Sequence, residues 1–440
     1  MKSTHVYFCL FSVVFLALCG CYNSPMRVKP INQSLFSDST SMDASEFPLL
    51  PQTNGAEHHV KIRVPKVGES ISISDCIHPD SVVKYYRFIP LKTSEDEIIG
   101  EISSAHMADS IIFVVDHLQQ SIFRFSLEGE YLGRIGTLGN GHGEFSSLYT
   151  WSFSLDKKNK EACVIDFPKK QLLFYSYEGK FLRAEPMYYL FNSIAFGDSL
   201  VYSHTITYEN PEWPGMSQTH VVYSRRDMVP MGGFLYDENY PSWTKSSVPF
   251  AVQPAECIKP YPDGTFYINI LSPDTIWKTD NKSIWPYVAL KQDGRGDFIP
   301  IEKRKTTSTD DYFNRMKDAN ICTKYDFSKN TGIMNIRRDN LILLDKNSGR
   351  YLSGDWACGR FEEYKIMYNP SHLQLRTWDW EKDEFYTILD PIALSNSYKD
   401  YLLDDKEKVN YAEPDRKLLE SVKETDNPIL LIMCIQVENQ

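Results

Sequence analysis

From about residue 60 the chain is a succession of short apolar stretches broken by polar turns. Two segments repeat without gaps at an offset of 50 residues: "FVVDHLQQSIFRFSLEGEYL" (113–132) and "CVIDFPKKQLLFYSYEGKFL" (163–182). Asp116 falls on Asp166, Ser126 on Ser176, and Glu128-Gly129 on Glu178-Gly179. Each copy reads as a strand, a turn at the Asp, a second strand and a tight Glu-Gly hairpin. A third strand then starts at Tyr131 or Phe181. Glycine supplies the positive φ that such a hairpin turn demands.

A strand-turn-strand unit cannot cover both of its faces by itself, so repeats at this spacing predict blades stacked in a ring. Weaker copies follow. "GTFYINILSPDTIWKTDNKSIWPYVAL" (264–290) places strands on both sides of "SPD", and "GIMNIRRDNLILLDKNSGRYLSG" (332–354) a strand before the turn "DKNSG". At roughly 50–65 residues per blade, residues 60–440 hold about six to eight blades. A Pro- and Trp-rich stretch at 205–250 breaks the repeat and reads as an insertion. Helix signals are few, the best being "DDYFNRM" (310–316) and "EPDRKLLESVKET" (413–425). The chain ends in the apolar run "NPILLIMCIQV" (427–437), which needs cover on both faces. The expectation is that 429–437 closes the ring as a strand beside N-terminal sequence, either "VKIRV" (60–64) or "YYRFIPL" (85–91).

Ahead of the repeats the pattern changes twice. Residues 6–18, "VYFCLFSVVFLAL", follow Lys2 and are too short to span a bilayer, but they fit the core of a signal peptide. They end in Leu18-Cys19-Gly20-Cys21, which resembles a bacterial lipobox. The reading is a lipoprotein signal peptide at 1–20, with Cys21 acylated and holding membrane lipid. Residues 21–59 are rich in Ser, Pro, Asn and Asp without persistent periodicity, a flexible tether to a propeller domain at 60–440.

Charge narrows the partners. Lys and Arg total 47 against 58 Asp and Glu, a net −11, which excludes general nucleic-acid binding by a basic surface. Of nine cysteines, Cys9 and Cys19 leave with the signal and Cys21 takes lipid. The other six are scattered without a CxxC pair and read mostly as buried apolar residues.

Candidate chemistry is sparse. "GTLGNGHGEF" (136–145) carries glycines at 136, 139, 141 and 143 but lacks the Lys-Ser/Thr of a phosphate loop. It reads as a turn whose Glu144 hydrogen-bonds local amides. His106, His117 and His142 lie close together in the repeats as candidate channel-facing residues, without the spacing of a metal site. No cofactor is expected. Trp213, Trp243, Trp378 and Trp380 read mainly as packing, with a sugar-stacking platform as the alternative. No serine sits in GxSxG.

Several stretches together, "YYRFIPLKTSEDEIIGEI" (85–102), "IIFVVD" (111–116), "IFRFSLEGEYLGRIGTLGNGHGEF" (122–145), "DTIW" (274–277) and "DNPILLIM" (426–433), resemble the six-bladed β-propeller lipoproteins of Bacteroidota, relatives of NHL-repeat propellers. The resemblance covers about 60–440, with His142 where that family usually has Pro. It implies an all-β fold of six four-stranded antiparallel blades after a signal and tether. Asp38-Ser39-Thr40 resembles the O-glycosylation acceptor motif of exported Bacteroidota proteins, making Ser39 a candidate for modification.

The expected role is a non-enzymatic scaffold that binds a protein or carbohydrate ligand in the cell envelope, lipid-anchored on the periplasmic face of the outer membrane. The alternative is an NHL-like metal-assisted lyase or hydrolase with its site in the central channel. The anchoring expectation is open to direct trial: Cys21→Ser should abolish labelling by a fatty-acid probe and move the protein to the soluble fraction. Unchanged membrane retention of that variant contradicts it.

Overall fold

The computed structural model describes residues 60–64, 77, 79–93, 97–187, 191–205, 218–226, 228, 230–236, 258–262, 266–269, 275–279, 284–292, 322–336, 340–354, 375–393, 417–418 and 420–437. Cys21, Ser39, the signal and tether, Trp213, Trp243 and the helix expected at 310–316 lie outside them.

The chain enters with β1 (Val60–Val64), the short helix α1 (Pro79–Val82) and β2 (Val83–Pro90). Four strands then form the first sheet in order: β3 (Ile102–Ala108), β4 (Ile111–Asp116), β5 (Ser121–Ser126) and β6 (Tyr131–Arg134). The second holds β7 (Phe153–Asp156), β8 (Glu161–Asp166), β9 (Gln171–Ser176) and β10 (Phe181–Pro186). The third holds β11 (Phe191–Phe196), β12 (Leu200–Thr205), β13 (Gln218–Ser224) and β14 (Pro230–Tyr236). The fourth is built on β15 (Ile258–Pro260), β16 (Phe266–Asn269), β17 (Thr275–Thr279) and β18 (Ile284–Gln292). The fifth holds β19 (Cys322–Phe327), β20 (Thr331–Ile336), β21 (Asn340–Asp345) and β22 (Tyr351–Gly354). Last come β23 (Arg376–Asp379), β24 (Glu384–Leu389), the short helix α2 (Pro391–Ala393) and β25 (Ile429–Ile435). The arrangement is an all-β propeller of four-stranded antiparallel blades.

Two departures from expectation are instructive. Five sheets have four antiparallel strands, but the fourth takes β1 as a fifth, parallel to β18 with Val60 opposite Val288. "VKIRV" therefore covers an outer edge and does not meet the C-terminal strand. Residues 205–250 are not simply an insertion, for β13 and β14 lie within them. Of the helix expected at 413–425, residues 417, 418, 420 and 421 are helical.

The packing follows from strand periodicity. Successive side chains point to opposite faces of a blade, and each face meets a different neighbour. On β4, Phe113 and Val115 pack towards the second sheet while Ile112 and Val114 pack towards the strands of β23–β25. On β8, Ala162 and Val164 join the first sheet, and Cys163 and Ile165 the third. On β21, Ile342 and Leu344 face the fourth sheet, and Leu341 and Leu343 the last. Middle strands therefore read as nearly continuous apolar runs, whereas the outer strands β6 and β10 alternate half-buried and exposed positions. The Glu-Gly hairpins lock one blade to the preceding one. Gly129, at φ 83°, would place a Cβ 1.9 Å from the Pro90 carbonyl oxygen, and Gly179, at φ 92°, one 2.4 Å from that of Arg134.

Closure is made by the two ends of the chain. β25 lies between β24 and β2, antiparallel to both, with Ile432 opposite Arg87 and Tyr386. All seven of its residues are buried. The Tyr386 hydroxyl accepts from the Ala105 N–H at 3.1 Å and donates to the Ala105 carbonyl, stitching the closing sheet to the first.

Two outcomes follow for stability. Each buried β25 side chain stabilises by about 1.5–3 kcal/mol, so their sum rivals the roughly 5–15 kcal/mol of a whole domain. Deleting 428–440 should give insoluble or protease-sensitive protein; a monomer with unchanged Tm contradicts ring closure by β25. Gly129→Ala should cost at least about 2 kcal/mol in denaturant unfolding, from left-handed backbone plus the clash with Pro90. A loss below about 0.5 kcal/mol would show that the hairpin does not rest on that blade.

Candidate functional site

An antiparallel meander sorts its connections between two ends. Turns from first to second strand and from third to fourth share one end of the blades, here called the hairpin end. Turns from second to third strand and the links between blades share the other, the connection end. Hairpin-end turns are short, as at 109–110, 157–160, 197–199, 328–330 and 380–383. The strand ends that flank 91–101, 135–152, 206–217, 237–257, 293–321, 355–375 and 390–428 lie at the connection end. Long connections on a rigid scaffold are where binding residues concentrate.

At the hairpin end the charged groups are committed to neighbouring blades. Lys160 pairs with Asp109 at 2.6 Å, Lys158 donates to the Asp198 carbonyl at 2.8 Å, and Lys329 pairs with Glu381 at 2.6 Å. Arg225 reaches from the third sheet to the buried Asp156 of the second. On the first strands, which succeed one another around the ring, Asp326 of β19 joins both neighbours. It accepts from Lys259 Nζ at 2.6 Å, the Tyr261 hydroxyl at 3.0 Å and the Thr377 hydroxyl at 2.6 Å. A buried carboxylate so fully satisfied is a fastener, since losing one partner would leave a desolvated charge. Asp383 is spent likewise on the Ser328 hydroxyl and on Asn330, whose backbone N–H lies at 2.9 Å and side-chain Nδ2 at 2.8 Å.

The aligned Asp116 and Asp166 serve the connection end. Each ends the second strand of its blade and accepts from the segment leading into the first strand. Gly100 N–H reaches Asp116 at 2.6 Å; Ser146 N–H and hydroxyl reach Asp166 at 2.9 and 2.5 Å. Both carboxylates are fully buried.

The glycine stretch is a closed loop. Gly139 N–H bonds the Phe145 carbonyl at 2.9 Å, and Phe145 N–H that of Thr137 at 3.0 Å. Gly141 N–H donates to Glu144 Oε2 at 2.7 Å, and a Cβ on Gly139 would lie 2.0 Å from that same oxygen. Lys169 Nζ binds the Gly139 and Glu144 carbonyls, both at 3.0 Å, and the Tyr175 hydroxyl binds that of Gly143 at 2.9 Å. The loop thus carries its own carboxylate where a phosphate would have to sit.

The three candidate histidines have separate surroundings. His106, on β3, lies edge-on to Phe153 at 5.2 Å with Nε2 3.1 Å from the Ser104 hydroxyl. His117, in the β4–β5 turn, places Nδ1 2.6 Å from the Ser103 hydroxyl. His142 is exposed in the glycine loop and edge-on to Phe181 at 4.8 Å. Among the described residues, no group of three or more His, Cys, Asp or Glu is placed to hold a metal ion. A histidine the sequence did not single out, His204 on β12, is fully buried, and desolvation pushes its imidazole down to about 4. The thiols of Cys163 and Cys434 are buried and unpaired by disulfide, and desolvation pushes both up, away from nucleophilic use.

Trp378 and Trp380 are packed, as expected, and do not form the alternative platform. Both side chains are buried, Trp380 between Tyr261 at 4.8 Å and Lys346 at 4.2 Å. An exposed aromatic stands elsewhere, in the 135–152 link. Tyr149 stacks on Trp151 with ring centroids 4.9 Å apart and planes 4° from parallel. Other large apolar side chains exposed at this end are Ile98, Leu118, Leu138 and Ile392. The sequence reading missed this group. Its signal was the pair "YTW" directly after the glycine loop.

Comparison with known proteins adds the family. A solved structure from Bacteroides fragilis NCTC 9343, whose name proposes export and states no activity, shares 16% identity at a TM-score of 0.62, over 86% of this chain and 100% of that one. A member of the DUF4221 family from Bacteroides vulgatus ATCC 8482 shares 11% at a TM-score of 0.51, over 82% and 98%. At these identities the likeness concerns fold. Among curated proteins none matches the chain in sequence. The pattern of one family, described as a domain of unknown function (DUF4934), matches residues 63–434. With nearly the whole propeller inside that match, the chain belongs to the DUF4934 family.

Proposed function

We propose that this protein is an exported, lipid-anchored propeller of the cell envelope that binds a ligand at its connection end and does not transform it. The five-stranded sheet serves as the sixth blade, with β1 as an added strand on its rim. Acylated Cys21 supplies the anchor, on the periplasmic face of the outer membrane. Export accords with the name of the Bacteroides fragilis relative in fold. The observation that carries the binding reading is the division of labour between the two ends. Buried carboxylates of the kind that do acid–base work, namely Asp116, Asp156, Asp166, Asp326 and Asp383, hold turns and blades together. Of the exposed large apolar side chains among the described residues, Ile98, Leu118, Leu138, Tyr149 and Ile392 lie at the end opposite the short hairpins. Apolar side chains exposed together mark an interaction surface.

The test combines ligand-induced thermal stabilisation of the purified full chain with product and elemental analysis. A stabilising ligand should be recovered unchanged. Its effect should be lost in the Ile98→Ser, Leu118→Ser double variant and kept in Leu182→Ser, Leu352→Ser, which alters outer strands. Recovery of a cleaved or eliminated product, with stoichiometric zinc or calcium that is lost in His106→Ala or His117→Ala, overturns the binding reading in favour of a channel enzyme.

A further inference from the structure

The blade-to-blade link 135–152 is described along its whole length, and none of it is an extended strand. Links beyond about 12–15 residues are uncommon in compact domains unless they serve a purpose. This one is tied down throughout. Glu144 and Lys169 fix its first half, as described above. In its second half the Gln120 side chain clasps Leu148, accepting from its N–H at 2.7 Å and donating to its carbonyl at 2.8 Å. Tyr149 N–H donates to the Ser152 hydroxyl at 2.9 Å, Ser152 N–H to the Tyr149 carbonyl at 3.0 Å, and Ile165 N–H to the Ser152 carbonyl at 2.7 Å. Leu138, His142 and Tyr149 are among the side chains that this fastened link exposes to solvent.

We propose that the Tyr149–Trp151 stack is a platform for the sugar rings of a neutral polysaccharide. This rests on the binding reading above and names its ligand class. Trp151 packs against the core between the second and third sheets and stands edge-on to Phe167 at 5.9 Å, so its inner side is spent. Tyr149 lies in parallel contact with it and is itself 38% exposed, and in this proposal the ring face away from Trp151 is the one that meets the ligand. A peptide's apolar anchor is held best in a pocket that removes it from water on all sides. A single open aromatic face suits a ligand that is flat and amphipathic, with one apolar face and a polar rim that stays hydrated. A pyranose has that shape: its axial C–H bonds lie on the aromatic face and its hydroxyls point to the edge.

The surroundings fit. Thr150 and Gln119 are exposed on segments joined by the Gln120 clasp, and offer hydroxyl and amide partners for sugar hydroxyls. The half-buried His117 of the same turn has one nitrogen on Ser103, and the structure shows no partner for Nε2 among the described residues. Neutral sugar is favoured over acidic sugar because the chain carries a net −11. Fixing the loop beforehand removes much of the ordering cost of binding.

The test uses the purified full chain in affinity gel electrophoresis and calorimetry with arabinoxylan, mannan, mixed-linkage glucan and, as the charged contrast, polygalacturonate. At least one neutral polymer should bind. Tyr149→Ala should weaken that binding at least about tenfold, while Tyr149→Phe keeps it within about twofold and both variants melt like the parent. Binding of none of the neutral polymers, or of polygalacturonate only, overturns the proposal. So does neutral-polymer binding that Tyr149→Ala leaves unchanged, a result under which the wider binding reading still stands. Cleavage of a bound polymer instead defeats that wider reading.

Discussion

A blade of this protein is apolar on both faces of its middle strands, and neither face can be left in water. Ile112 and Val114 need one neighbour while Phe113 and Val115 need another, so the demand passes from blade to blade until it returns to its origin. A linear stack would leave two apolar faces bare, and only a ring has none. The pairing of β25 with β2 turns that demand into a closed structure, because it builds one blade from sequence at both ends of the repeat region. Until β25 docks, the first and fifth sheets each lack part of their cover, so the first sheet depends on a strand more than 300 residues further along the chain.

Once the ring is closed, its polar chemistry divides. The Lys160–Asp109 and Lys329–Glu381 pairs between blades are exposed, whereas buried, fully paired carboxylates there act as fasteners, as with Asp326 among Lys259, Tyr261 and Thr377. Groups so engaged have little capacity left for a substrate. The connection end has buried carboxylates of its own in Asp116 and Asp166, and adds exposed apolar and aromatic side chains, among them Tyr149 on a link fastened by Gln120. Rigidity and exposure together separate a prepared surface from a loose one.

Sequence alone conveyed much of this where one residue has a single structural meaning. Gly129 and Gly179 sit at positive φ against a neighbouring backbone, a place no other residue fits, so their 50-residue spacing marked the repeat. Asp116 and Asp166 marked it again, since each satisfies the same pair of segments. The glycine loop was legible because Glu144 follows at the one distance that lets its carboxylate turn back on Gly141. β13 and β14 were hidden because "PMGGFLY" carries the proline and paired glycines of a loop, yet pairs as a strand. "VKIRV" alternates as any edge strand does, so its pattern could not choose between β18 and β25. The Tyr149 platform was illegible for a different reason: its rigidity comes from Gln120, in another blade's turn, and no local pattern records a contact of that range.

Strand direction has a consequence for how the chain is threaded. Fourth strands run from the hairpin end to the connection end, and β1 is parallel to β18, so it starts midway along that strand, Val60 opposite Val288, and runs towards the connection end. β2 begins at the hairpin end, and β25, antiparallel to it, finishes there. The start of β2 and the finish of β25 therefore lie side by side, Val83 opposite Ile435, at the end of the blades away from Tyr149.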